Sequence, residues 1–226
     1  SPFSAIVALF PKKMITEALL VMFLLKTGLC GLTFGTYLHK TRPRNPVAVV
    51  IFSTMYALCA YAVVQQHNTM WIDNLIFLPL ILLGIEEMIK HGKFKLYVIC
   101  LSLALFSNYY IGYMTCIFVA LYFFYYYFSR TPEERNPHGL KLHFLRAFGR
   151  IAIYSLIVIC ICSAIILPAY YSLTFGKTTF SDPSFGLSQK FDFLDLLSKM
   201  YFGSYDTVRP EGLPFLYTGM LAFILL

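Results

Sequence analysis

The 226 residues are 58% hydrophobic and only 13% charged, with a net charge of +7 and a mean hydropathy of +0.68. A soluble domain averages roughly 45–50% apolar and about 25% charged, so this composition excludes a soluble globular domain and indicates a single membrane domain over 1–226. The basic excess does not point to nucleic acid: the Lys and Arg residues sit in short loops between apolar runs, where such residues orient a chain in the bilayer.

A helix needs roughly 20 apolar residues to cross the hydrocarbon core. That length predicts spans at 14–38, 47–65, 72–89, 95–110, 112–128 and 151–168, with an incomplete seventh from 214. The expected fold is all-α, a multi-pass transmembrane helical bundle of about seven spans. The fourth and fifth are short and meet at Gly112, which suggests tilted or partly re-entrant segments. The chain opens at Ser1-Pro2-Phe3 and stops inside an apolar run at 221–226, so it reads as an internal piece of a longer protein.

In the first span Lys26 lies near mid-membrane, flanked by Leu24, Leu25, Thr27 and Gly28. A lysine at that depth costs several kcal/mol unless paired or hydrated, and marks a functional site by default. Its bland reading is snorkelling, or a pair with Glu17. Glu17 lies nine residues away, roughly 13 Å along a helix. An anionic phosphate suits such a cation.

The second and third spans are joined by a polar, aromatic cluster, His67 to Asn74. Trp71 is of a type common at membrane interfaces, a lone His67 is ordinarily structural, and helix N-capping is a sufficient explanation for Asp73. A second cluster, Asn108 to Met114, lies between the fourth and fifth spans. With both intervening spans crossing, the two clusters emerge on the same side. His67, Asn68, Trp71, Asp73, Asn108, Tyr109, Tyr110 and Tyr113 are then expected to share one face. Aromatic rings beside amides and hydroxyls suit a sugar, whose C–H faces stack while its hydroxyls form hydrogen bonds.

Loops 39–46, 90–95 and 129–150 together carry eleven Lys and Arg residues; the opposite side carries six, namely Lys12, Lys13, Lys177, Lys190, Lys199 and Arg209. Basic residues concentrate in cytoplasmic loops, which places both clusters and segment 169–213 outside. The tyrosine–phenylalanine run at 122–128 falls at the inner interface and reads as an anchor. In the outer segment, 189–202 alternates polar and apolar residues at helical spacing and is expected to form an interfacial helix. Asp195 and Lys199 make an i,i+4 pair there that needs no function to explain it. All six cysteines fall in apolar spans without a CxxC spacing, and read as free thiols packing as small hydrophobes. Phosphate-binding glycine loops, HExxH, GxSxG and zinc-ligand spacings are absent from the sequence.

Several segments resemble the bacterial YfhO-like membrane protein family. They are Ser1-Pro2-Phe3, Leu25-Lys26-Thr27-Gly28, MWIDNLIFLPLILLGIE (70–86), SNYYIGYM (107–114), FDFLDLLSKMYFGSYD (191–206) and GLPFLYTGMLA (212–222). The resemblance runs through nearly the whole chain in order. It implies a GT-C class glycosyltransferase of the bacterial cell membrane. Such an enzyme takes a sugar from a polyprenyl-phosphate donor to a cell-envelope acceptor such as teichoic acid, on the outer face. Its implied partners are membrane lipid, that donor and that polymer, and no organic cofactor; metal dependence stays open. The family's acidic catalytic residue is expected in an outer loop upstream of Ser1, so no residue of 1–226 inherits it. Lys26, Lys177, Lys190, Lys199 and Arg209 become candidates for the leaving phosphate, and the two clusters for sugar or acceptor.

The alternative is a membrane transporter or lipid flippase, which needs a continuous polar path across the bilayer. Only Lys26 stands out deep in the membrane, which favours chemistry at one face. A structural or partner-binding subunit is the third reading.

Overall fold

A computed structural model describes residues 1–41, 45–135, 141–176, 194–200 and 217. Among the described residues there are helices and turns but no strand, so the all-α expectation holds. The principal helices are α1 (Ile15–Thr41), α2 (Pro46–Ala57), α3 (Ala60–Val64), α4 (Thr69–His91), α5 (Lys95–Ser107), α6 (Tyr109–Ser129), α7 (Pro132–Arg135) and α8 (His143–Gly176). Three helical stretches, Lys12–Thr41, Tyr109–Ser129 and His143–Ser172, are long and apolar enough to cross a membrane. The pair Pro46–Ala57 and Ala60–His67, bent by 40°, makes a fourth if it crosses as one broken span.

The direction of each helix follows from its contacts. Lys26 of α1 meets Asp73 of α4, and further along both helices Tyr37 meets Glu86, so α1 and α4 run parallel. Glu86 also meets Tyr122 of α6, and Lys90 one turn on lies over the Tyr126 ring one turn on, so α6 runs the same way. Tyr97 and Ser102 of α5 meet Ser155 and Cys162 of α8, so those two helices also run parallel to each other. The result is an up-and-down bundle whose N-terminal ends of α4 and α6 lie at one pole, here the Lys26 end. The opposite pole, the Glu86 end, carries Lys90, Lys93 and Arg130.

α4 is the centre of this bundle. Thirteen of its 23 residues are buried, on all sides of the helix, against α1, α5, α6 and α8. In lipid, tails are as apolar as leucine, so helices associate through close packing rather than by escaping water. Small residues supply that closeness. A Cβ on Gly84 would stand 2.7 Å from the Tyr97 backbone nitrogen of α5, and one on Gly112 would stand 2.7 Å from Cδ2 of Leu105. The bundle exterior is apolar: Leu32 of α1, Leu121 of α6 and Leu156 of α8 are each more than 60% exposed, as lipid-facing side chains are.

Several boundaries differ from the sequence reading. The span expected at 47–65 is interrupted at Leu58 and Cys59. α5 has 13 residues, about 20 Å of helix, short of the roughly 30 Å core. The break before α6 falls at Asn108 instead of Gly112, because the Asn108 carboxamide oxygen accepts from the backbone N–H groups of Tyr110 and Ile111 and caps the helix. The sixth span is longer than 151–168, running from His143 to Gly176. Of the segment expected to be interfacial, 189–202, residues 194–200 are described and hold a single helical turn, Asp195–Ser198; the remainder, and all but Tyr217 of the seventh span, lie outside the described residues. The six cysteines are free, four of them buried.

Candidate functional site

Along α1 the buried residues Ala18, Met22, Lys26 and Cys30 recur every fourth position, a stripe that faces α4. Lys26 is therefore aimed into the bundle. Its ammonium lies 2.6 Å from Asp73 Oδ1, and both side chains are fully buried. It also donates to the Thr69 backbone carbonyl at 2.7 Å and to Ser1 Oγ at 3.4 Å. An ammonium has three donors, and each has an acceptor here. Phe3 covers the group, its ring centroid 5.4 Å from the ammonium, and stacks in turn on Phe77 of α4. Asp73 Oδ2 and both amide atoms of Asn74 are buried without hydrogen-bond partners.

This corrects one sequence reading and excludes the bland alternative for another. Asp73 does not cap α4: Asn68 occupies the N-cap position, and Asp73 lies one turn further in. Lys26 neither snorkels nor pairs with Glu17; its counter-charge comes from 47 positions along the chain. Two opposite charges removed from water are tolerated only when they are close and further hydrogen-bonded, which the Lys26 geometry provides.

The remaining cluster residues divide into groups. His67 is exposed, Asn68 and Trp71 are half-buried. The Asn68 amide donates to Gln65 Oε1 at 3.0 Å and stands 3.0 Å from His67 Nε2, folding this turn on itself. Asn108 serves as the α6 cap described above. Tyr109, Tyr110 and Tyr113 are exposed and line a cavity of about 400 Å3 with Tyr170, Ile159 and Ile166 of α8. Both clusters thus lie at the Lys26 end, but the tyrosines open toward α8 while Asp73 is drawn to α1. Lys199 follows the Asp195–Ser198 turn and is half-buried; Lys177, Lys190 and Arg209 lie outside the described residues. Among the described residues no three His, Cys, Asp or Glu side chains converge as metal ligands.

A second buried polar centre, at the Glu86 end, was not singled out from the sequence. Glu86 is 2% exposed, and its Oε1 accepts from the hydroxyls of Tyr122 at 2.9 Å and Tyr37 at 3.1 Å, which are themselves 2.9 Å apart. Lys90 lies 3.9 Å from Oε2. One carboxylate thereby ties together the three parallel helices α1, α4 and α6. The available signal was an acid inside an apolar span, the same warning that drew attention to Lys26. The run 122–128 is not only an interfacial anchor: Phe123, Tyr126 and Tyr127 turn inward and are buried, while Phe124, Tyr125 and Phe128 face out.

Comparison with known proteins gives a family. The profile described as "Bacterial membrane protein YfhO" matches residues 1–226. The "Uncharacterized protein YfhO" of Bacillus subtilis (strain 168) is 23% identical over 179 residues, which is 78% of this chain and 19% of that relative. The chain therefore spans about a fifth of the length of the curated relative it matches. No solved structure matches the chain.

Proposed function

Since the chain belongs to the YfhO family of bacterial membrane proteins, we propose that it is part of a membrane glycosyltransferase. The enzyme takes a sugar from a polyprenyl-phosphate donor to a cell-envelope acceptor, such as teichoic acid, at the outer membrane face. The observation that carries a functional centre at the Lys26 end is the fully buried Lys26–Asp73 pair. Charged groups inside a membrane domain are costly, and mark substrate sites or proton relays. The reaction class follows from the resemblance to GT-C glycosyltransferases.

In this reading the acceptor hydroxyl loses its proton to a base, and the departing lipid phosphate takes a negative charge that needs stabilising. No residue of 1–226 is assigned as that base. Lys26 pairs with Asp73 and donates to the Thr69 carbonyl, and so fixes the α4 entry turn, with Asn68 and Trp71 on it. His67, Asn108, Tyr109, Tyr110 and Tyr113 provide stacking and hydrogen bonding for sugar or acceptor, while Lys177, Lys199 and Arg209 receive the phosphate. The two polar centres on α4 are separated by apolar residues including Phe77, Ile81 and Leu83. That separation favours one-faced chemistry over a transport path.

The test is transfer of a labelled sugar from a panel of polyprenyl-phosphate donors, using the full-length protein in membranes. Transfer that depends on the donor lipid supports the reading. Absence of turnover across the panel, with uptake of labelled substrate by proteoliposomes instead, overturns it in favour of a transporter.

A further inference from the structure

At the Glu86 end, α1, α2 and α6 diverge around a cavity of about 500 Å3. One wall is apolar, formed by Phe34, Leu38 and Phe52; the other presents Tyr126, Ser129 and Arg130. The cavity lies between helices that are long and apolar enough to cross a membrane, α1 and α6, so it opens where lipid stands rather than bulk water. We propose that it is a binding site for an anionic phospholipid, with the headgroup phosphate on Arg130 and an acyl chain along Phe34, Leu38 and Phe52. The site is independent of the transferase reading.

Two observations point to a ligand of this chemistry. First, Tyr126 is 2% exposed and lines the cavity, and its hydroxyl, which stands near the Glu86 carboxylate, makes no hydrogen bond of good geometry, which is unusual for a buried phenol. Second, two cations converge on its ring: the Arg130 guanidinium at 5.4 Å and the Lys90 ammonium at 5.9 Å from the centroid. The acids nearby leave the Arg130 charge available. Glu86 has Oε1 covered by Tyr37 and Tyr122 and Oε2 turned to Lys90. Glu134 reaches Arg130 only at 3.6 Å and is half exposed, so that pair is weak and open to displacement by a phosphate, with which arginine makes stronger, bidentate bonds. Basic pockets between transmembrane helices are recurrent sites for anionic headgroups.

The experiment is a lipid titration of the purified full-length protein by native mass spectrometry. It uses phosphatidylglycerol, phosphatidylcholine of the same acyl chains, and soluble glycerol phosphate. The expected result is at least tenfold tighter binding of phosphatidylglycerol than of either comparison. Arg130→Gln should weaken it about tenfold, and Tyr126→Phe, which keeps the ring, by a few-fold. Lys93→Gln, which removes a charge 70% exposed at the same pole, should leave it unchanged. Equal binding of phosphatidylcholine overturns the proposal, as does full affinity for glycerol phosphate alone. So does unchanged affinity in both Arg130→Gln and Tyr126→Phe, or an equal loss in Lys93→Gln. Size-exclusion profiles establish that each variant is folded, and Tyr126→Phe keeps the test decisive if Arg130→Gln is not.

Discussion

At the scale of single residues, a buried ion pair contributes little net stability, yet breaking it by removing one member costs about 3–5 kcal/mol because the survivor is left uncompensated. Lys26→Met should therefore lower the unfolding midpoint of the full-length protein strongly in thermal or denaturant titrations. Lys26→Met/Asp73→Leu should recover most of that loss. A double variant as unstable as the single one would show that the two side chains are not energetically coupled. Tyr122→Phe removes one of two hydroxyls on Glu86 and should cost about 1.5–3 kcal/mol, the range for hydrogen bonds to charged groups. The sequence alone marked Lys26 by its depth, but it could not supply the partner. Asp73 stands near a helix start, where capping is the ordinary explanation, and a contact across 47 positions leaves no local trace. Glu86 was visible by the same depth criterion, hidden only by its place near a helix end rich in charge.

At the scale of elements, hydropathy located the long helices because each is apolar over most of its length. It did not locate their breaks, which depend on caps and packing. Asn108 ends one helix and begins the next through its carboxamide, so Asn108→Ala should cost about 1 kcal/mol. At Gly84 the α4 backbone lies close against α5. Gly84→Ala should cost about 1–3 kcal/mol by overpacking, since the added Cβ meets Tyr97 backbone and not a yielding side-chain tip. Gly28 is the contrast: a Cβ added there would meet nothing within 4 Å, and Gly28→Ala should be neutral or stabilise by up to about 1 kcal/mol. Equal effects of the two substitutions on the unfolding midpoint would contradict the close α4–α5 packing.

At the scale of the whole molecule, the alternation of helix directions separates the Lys26 end from a Glu86 end that holds Lys90, Lys93 and Arg130. Under the positive-inside rule, cysteine placed at position 93 in a cysteine-free full-length protein should react with a membrane-impermeant maleimide only from the cytoplasmic side. Cysteine at position 67 should react only from outside. Labelling of both from one side would contradict the topology on which the proposed outer-face chemistry rests. The central claim, that the buried Lys26–Asp73 pair belongs to a sugar-transfer site and is more than a structural tie, is tested most directly by sugar transfer in the stability-restored Lys26→Met/Asp73→Leu protein. Transfer from the polyprenyl-phosphate donor should fall at least a hundredfold while the protein remains folded in the membrane; transfer at the unsubstituted rate would contradict the claim.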